Sequence, residues 1–169
     1  MEYSLISFVK TLEFISATVV RRAAHDAIRA RLSSSRALNP DAAFLDDLTR
    51  LVDNQRIFRK DSEALKLTIE TCCDAKELAF HAPPKLKSLR SITEESDAKA
   101  RKAALGELAD CLSATRNELS HAKSNYQSTG AECPAAERTQ LAECARLAVD
   151  QAIRWFGSLS PHARVTTSV

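Results

Sequence analysis

The chain has 169 residues, enough for one domain with an apolar core that needs neither disulfides nor a structural metal. Glycine and aromatic residues are scarce while alanine, leucine, arginine and glutamate are plentiful, which is the composition of an all-helical protein. The net charge of +2 is too small for a protein that coats nucleic acid, so any such contact depends on a local basic cluster.

The cysteine content and the N-terminal segment indicate a soluble, cytoplasmic protein. The five cysteines are odd in number and form no Cys-x-x-Cys pair, which is typical of reduced thiols. The apolar N-terminus differs from a signal peptide because Glu2 occupies the region that should be positive, and Lys10 and Glu13 interrupt the apolar run. No segment approaches the roughly 18 uninterrupted apolar residues of a membrane span, so we expect no membrane partner.

Helical spacing of apolar residues predicts a first helix from residue 2 to about residue 32. The second half of this helix is basic. One interpretation is an ordinary solvated helix face, and the other is a surface that contacts phosphates. The basic residues in question are Arg21, Arg22, Arg29 and Arg31, with Arg36 just beyond.

A second helix is predicted to start at Asn39-Pro40-Asp41. In this interpretation Asn39 caps the helix, Pro40 takes the first helical position and Asp41 lies at the positive end of the dipole. The helix continues to about residue 54, where it either stops or bends into the next one. Asp61 or Ser62 is the expected cap of a third helix, which runs to about residue 81 before a pair of prolines.

Residues 85–95 are predicted to be a linker with one helical turn, and a fourth helix starts near Ser96-Asp97. Its buried stripe includes Leu112 and Leu119, and Arg116 lies on or beside that stripe. A charged residue in this register is either a snorkelling or ion-paired side chain that braces the fold, or a functional group.

The last helix is predicted to open at Cys133-Pro134, with Pro134 at its first position, and to end at Gly157. The fold class is therefore all-α, an up-and-down bundle of four to five helices. We expect the last two long helices to be antiparallel neighbours joined by an exposed turn. Residues 1–157 form the single domain, and residues 158–169 are a flexible C-terminal tail.

The segment that closes the fourth helix combines Arg116, Asn117 and His121. On a regular helix Arg116 and His121 lie about 140° apart, so they share a face only if the helix ends or distorts there. Arginine can stabilise the extra charge of a phosphodiester transition state, and histidine can transfer a proton at neutral pH. One histidine supplies only one of two proton transfers. A dimer axis that brings two copies together would supply both.

At these residues the chain resembles the HEPN family (higher eukaryotes and prokaryotes nucleotide-binding). Ribonuclease members of that family carry Arg-x(4–6)-His with a polar residue, often Asn, directly after the Arg, and Arg116, Asn117 and His121 match this pattern. The resemblance implies a homodimeric helical bundle and a metal-independent endoribonuclease that leaves 2′,3′-cyclic phosphate ends. It also implies that Arg116 and His121 are catalytic and that Asn117 orients the site.

The segment after the motif departs from one HEPN subgroup. Toxins paired with nucleotidyltransferase antitoxins commonly place Tyr two residues after the His, where this chain has Lys123. Lys123, Asn125 and Tyr126 are nevertheless candidates for RNA binding, by phosphate contact, hydrogen bonding and base stacking respectively. The alternative for Tyr126 is a turn aromatic that packs on the end of the bundle. Arg21 and Arg22 complete the set of candidate RNA-binding residues.

Two functions of different classes remain open. The first is an endoribonuclease acting on single-stranded RNA in a toxin–antitoxin or antiviral system, with an antitoxin or defence-complex partner. The second is a non-catalytic helical module that binds protein or nucleotide, in which Arg116 and His121 only brace the bundle. No metal and no cofactor is expected in either case, because the sequence has no zinc-ligand spacing and no glycine-rich phosphate loop.

Overall fold

The computed structural model describes residues 2–54, 60–121 and 126–165. Within these ranges all regular structure is helical, which confirms the all-α fold class. There are more helices than the predicted four to five because two short ones, α4 and α5, lie between the long ones. The α-helices are α1 (Glu2–Leu32), α2 (Ala42–Asn54), α3 (Asp61–Cys72), α4 (Ala75–Ala79), α5 (Lys87–Arg90), α6 (Ala98–His121) and α7 (Arg138–Ser158).

The core lies between α1, α3, α6 and α7, each of which buries one apolar stripe. Burying a leucine or isoleucine side chain contributes about 1.5–3 kcal/mol, so these stripes supply the main driving force for folding. Among the fully buried side chains are Leu5 and Leu12 of α1, Leu65 and Ile69 of α3, Leu108 and Leu112 of α6, and Leu141 of α7. None of the helices in the described ranges has the length and apolarity needed to cross a bilayer.

The order of helices around the core differs from the prediction. α1 packs against both α3 and α7, and α3 packs against α6, whereas α6 and α7 do not lie side by side. The expectation that the last two long helices are antiparallel neighbours was therefore wrong. Both helices instead bury their stripes against α1 and α3.

The start of α2 also differs from the prediction. Asp41, and not Asn39, is the capping residue, since its carboxylate accepts a hydrogen bond of 2.7 Å from the Phe44 N–H. The helix begins at Ala42, so Pro40 precedes the cap. The carboxylate at this position satisfies one of the free amides of the first turn, which is the usual role of an N-cap side chain.

The predicted capping residue is found at the start of α6 but not at the start of α3. Asp97 caps α6 through a 2.6 Å hydrogen bond from the Ala100 N–H, which confirms a helix start near this residue. In α3 the capping position belongs to Lys60, whose side chain makes no capping bond. Asp61 and Ser62 lie inside the first turn, so the prediction that one of them caps α3 was wrong.

The helix predicted to run to residue 81 is broken into α3 and α4. Cys73 has extended backbone angles, and Asp74 then caps α4 by accepting a 2.8 Å hydrogen bond from the Lys76 N–H. The Asp74 N–H donates to the side-chain oxygen of Gln151 in α7 at 2.7 Å. A side chain from another helix therefore takes the amide that a continuous helix would have used internally.

The last helix begins later than predicted. Pro134 precedes a short 3-10 helix, Ala135–Glu137, and α7 starts only at Arg138, so Pro134 is not its first residue. α7 ends at Ser158, one residue beyond the predicted end. Two further 3-10 helices in the described ranges are Ser35–Leu38 and Pro161–Ala163.

The segment after α7, assigned above to a flexible tail, contacts the bundle over its described part. The Arg164 guanidinium donates a 2.7 Å hydrogen bond to the Leu159 carbonyl, and its carbon lies 5.3 Å from the ring centre of Phe156. The Val165 N–H donates to the hydroxyl of Thr18 in α1 at 2.9 Å. The domain boundary at residue 157 and the flexibility of this segment stay predictions.

Candidate functional site

The segment with Arg116, Asn117 and His121 occupies the C-terminal turns of α6, and His121 is the last residue of that helix. This agrees with the expectation that the motif closes a long helix. Arg116 and Asn117 are both partly buried. The side chain of His121 lies outside the part of the chain that the structure describes, and so do Lys123 and Asn125.

Arg116 is held by an ion pair with Glu13 of α1. The contact joins the Nη2 atom of Arg116 to Oε1 of Glu13, and the two side chains are only 20% and 26% exposed. The Nε atom of Arg116 is buried and has no hydrogen-bond partner among the described residues. A buried donor without a partner typically lowers stability by about 1–3 kcal/mol. The ion pair with Glu13 thus holds a guanidinium that has part of its hydrogen-bonding capacity unused.

A second ion pair lies close by and joins α6 to the start of α7. Nη2 of Arg138 is 2.8 Å from Oε2 of Glu118, and the Arg138 side chain is 17% exposed. The end of α6 is thus tied to α1 through Arg116 and to α7 through Glu118. Charge complementarity fixes the relative positions of three helices at this end of the bundle.

Thr115 anchors the segment before α7 to α6. Its hydroxyl donates a 2.7 Å hydrogen bond to the Cys111 carbonyl and accepts one of 2.9 Å from the Cys133 N–H. All three residues are buried. The hydroxyl satisfies an amide that would otherwise be buried without a partner, and it places the segment next to the motif.

Tyr126 is engaged in the turn that follows the motif. Its hydroxyl donates to the carboxylate of Glu132, which also accepts hydrogen bonds from the Thr129 N–H at 2.7 Å and from the Ser128 hydroxyl at 2.8 Å. These bonds, first of all the one from Tyr126, hold the pKa of Glu132 below its usual value. The same bond raises the pKa of Tyr126. The arrangement agrees with the alternative of a turn aromatic packed on the bundle.

Arg21 and Arg22 are not gathered around Arg116. Arg22 lies about 180° around α1 from Glu13 and roughly 13 Å further along the helix, by ordinary helix geometry. Its guanidinium carbon is 6.0 Å from the ring centre of Trp155 in α7. Arg21 is exposed and is about 12 Å further along α1 than Glu13. The structure therefore separates this basic face from the motif.

No family model matches the chain, and neither curated proteins nor solved structures give a significant match. The HEPN resemblance accordingly depends on Arg116, Asn117 and His121 in this sequence.

Sequence reasoning missed Glu13, Glu118 and Arg138 as neighbours of the motif. The one available signal was Glu13 itself, a charged residue inside the apolar run of α1. A charge in such a register needs a partner when the helix is buried, and Arg116 occupies the equivalent position in α6. Two unpartnered charges on the core-facing sides of two predicted helices are therefore a signal for an interhelical ion pair.

Proposed function

We propose that the protein is a metal-independent endoribonuclease of the HEPN type, with Arg116, Asn117 and His121 as its site residues. The observation that carries the proposal is the order Arg-Asn-x-x-x-His at the C-terminal end of a long helix in an all-helical bundle. The proposed setting is a cytoplasmic toxin–antitoxin or antiviral system, in which an antitoxin or a defence-complex partner controls the activity.

In this proposal Arg116 binds the scissile phosphate. Glu13 engages Nη2, and a guanidinium has further N–H donors that can fork onto phosphate oxygens. The side chain keeps 20% of its surface exposed, which leaves an edge for a ligand. A fixed cation stabilises the charge that develops on the pentavalent phosphorus without having to reorganise during the reaction.

His121 is the proposed proton-transfer residue. The 2′-oxygen of RNA attacks the phosphorus as its proton is removed, and the 5′-oxygen leaves as it receives a proton, which produces a 2′,3′-cyclic phosphate. One imidazole performs one of these transfers. Since Arg116 and His121 lie about 140° apart on one helix, a homodimer in which the motifs of two copies meet is the proposed active form.

Single-stranded RNA is the proposed substrate because the reaction needs a 2′-hydroxyl and a flexible backbone. Lys123 and Asn125 are proposed RNA contacts since they lie two and four residues after His121 in the chain. The Tyr126 hydroxyl is already bonded to Glu132, so any contribution of Tyr126 to RNA binding comes from its ring. Arg21 and Arg22 are proposed to contact only RNA that extends at least about 12 Å along α1 from Glu13.

The test is cleavage of a mixed single-stranded RNA in EDTA by the wild type, His121→Ala and the control His162→Ala, with analysis of the product ends. We expect cyclic-phosphate ends from the wild type and the control, and intact RNA with His121→Ala. His162 is an exposed histidine after α7, so its replacement tests for non-specific effects. Cleavage by His121→Ala at the wild-type rate would place the chemistry elsewhere.

A second candidate function is a non-catalytic helical interaction module, and the two ion pairs favour it. Arg116–Glu13 and Glu118–Arg138 give the charged residues around the motif a bracing role that needs no substrate. In that case the wild type leaves RNA intact even at concentrations where it is dimeric. The same cleavage assay, combined with measurement of the solution mass, separates the two functions.

A further inference from the structure

A groove with a volume of about 950 Å³ lies between α3, α5 and α6, away from the Arg116 motif. Its volume falls in the range of small-molecule sites, which is about 300–1,000 Å³. Part of the wall is apolar and includes Leu86, Ala103 and Ala131. The rest is dominated by lysine side chains from α3, α6 and the segment around α5, namely Lys66, Lys85, Lys87, Lys99 and Lys102.

The acidic residues of the groove do not balance these lysines. Glu107 is directed at the start of α5, where its carboxylate accepts hydrogen bonds from the N–H groups of Ser88 at 2.9 Å and Leu89 at 3.1 Å. These backbone donors use hydrogen-bonding capacity of the Glu107 carboxylate, which keeps its charge. With five lysines and three acidic residues in its lining, the groove still has an excess of positive charge.

Two further acidic residues each face a lysine across the groove. Glu70 is 3.4 Å from the ammonium of Lys102, and Asp110 is 4.0 Å from that of Lys66, so the second pair is the weaker one. These pairs also establish that α3 and α6 run antiparallel, because the later residue of α3 meets the earlier residue of α6.

The remaining lysines carry the excess charge. Lys85 donates a 2.7 Å hydrogen bond to the Gly130 carbonyl, a neutral acceptor that leaves its charge uncompensated. Lys87 and Lys99 form no ion pair with any acidic side chain in the described ranges. The groove therefore has a positive potential, which its concave shape concentrates.

Gly106 of α6 lines the groove and lies against the end of the Lys66 side chain. A Cβ atom at this position would lie 3.0 Å from Cε and 3.3 Å from Nζ of Lys66. Without that Cβ, the ammonium of Lys66 can lie directly across α6 inside the groove.

We propose that this groove binds a small anion that carries several phosphate groups. Lysine acts on phosphate as a point charge, and ammonium groups on separate elements suit an anion whose charge is spread over several oxygens. A nucleoside triphosphate and inorganic tripolyphosphate share this chemistry. The apolar part of the wall, with Leu86, Ala103 and Ala131, is the proposed contact for the nucleoside of the former. The site is independent of the proposed ribonuclease.

The test is isothermal titration with sodium tripolyphosphate and with ATP, both without divalent metal, on the wild type, the double variant Lys99→Gln/Lys102→Gln and the control Lys10→Gln. Lys99, Lys102 and Lys10 are all exposed, so the substitutions leave the core intact. We expect saturable binding of one anion per chain, and a Kd raised at least tenfold in the double variant only. Tighter binding of ATP than of tripolyphosphate identifies the nucleotide as the ligand, and equal binding identifies the phosphates alone.

Three results would overturn the proposal. One is the absence of saturable binding by the wild type, and another is an equal Kd for the wild type and the double variant. The third is displacement of tripolyphosphate by an uncleavable 2′-O-methyl RNA at much lower concentration, which would make the groove part of a nucleic-acid path. Failure of the ribonuclease proposal can be distinguished from failure of the anion-binding proposal. His121→Ala should bind tripolyphosphate normally, and Lys99→Gln/Lys102→Gln should keep any RNA cleavage.

Discussion

Arg116 of α6 and Glu13 of α1 form an ion pair between residues separated by 103 positions in the sequence. The two side chains are mostly buried, so each would leave an uncompensated charge if the other were removed. We expect Glu13→Gln to lower the free energy of unfolding by roughly 1–3 kcal/mol, between the values typical of exposed and buried pairs. Urea denaturation of both proteins measures this difference.

The control for this prediction is a double-mutant cycle with Arg116→Gln. If the pair interacts directly, the double variant Glu13→Gln/Arg116→Gln should be more stable than the sum of the two single effects indicates. Asp110→Asn, which removes an exposed 4.0 Å pair with Lys66, should change stability by less than about 0.5 kcal/mol. Purely additive effects of Glu13 and Arg116 would contradict a direct interaction.

The long helices could be predicted from the sequence because their apolar stripes repeat over many turns. α1 has the predicted bounds, and α6 starts after Asp97 as expected. The break between α3 and α4 could not be predicted, since it depends on Gln151, 77 positions away in the sequence. That α6 and α7 pack on α1 and α3 rather than along each other could not be predicted either, because the positions of apolar stripes do not reveal which neighbouring helix covers them.

The candidate site could be predicted only as a set of side chains on one helix. The position of Arg116 beside the core stripe was evident from its spacing to Leu112 and Leu119. Its partner Glu13 was not identified, because pairing between distant residues follows from the packing of α1 on α6. The roles of Arg116, Asn117 and His121 stay predictions.

Thr115 is predicted to be important for stability because its hydroxyl accepts a hydrogen bond from the buried Cys133 N–H. Thr115→Val keeps the shape of the side chain and removes the acceptor, so we expect a loss of about 1–3 kcal/mol in the free energy of unfolding. Thr115→Ser retains the hydroxyl and should lose less. Chemical denaturation of the three proteins gives the order, and an equal loss for Val and Ser would mean that the hydrogen bond contributes little.

Glu132 gives a pH-dependent contribution to stability. Because hydrogen bonds from Tyr126, Thr129 and Ser128 hold the pKa of Glu132 below its usual value of about 4.3, the folded state favours the ionised carboxylate. This contribution is present above pH ~4.3 and is lost as the pH falls below it. The difference in Tm between the wild type and Glu132→Gln should therefore be largest near pH 7 and shrink progressively as the pH falls below about 4.3. A difference in Tm that is constant over this range would contradict the mechanism.

The partly buried thiol of Cys72 and the buried thiol of Cys144 should react slowly with alkylating reagents. Burial raises the pKa of each thiol to about 12, and the thiolate is the reactive form. Alkylation by iodoacetamide should accelerate about tenfold per pH unit between pH 8 and pH 10, without the levelling expected of a thiol with a pKa near 8.5. Mass spectrometry of the digested protein measures each site, with urea-unfolded protein as the control. A rate that levels off near pH 9 in the folded protein would show an ordinary thiol.

The position of Gln151 links the middle of the chain to its last helix. Its side-chain oxygen accepts a 2.7 Å hydrogen bond from the Asp74 N–H, and its side-chain nitrogen donates a 2.7 Å hydrogen bond to Oε2 of Glu77. The break between α3 and α4 is thus completed by a side chain of α7. Deuterium exchange at the Asp74 amide should therefore follow the undocking of α7 rather than local fraying at the end of α3, which makes that single amide a reporter of when the C-terminal helix leaves the bundle.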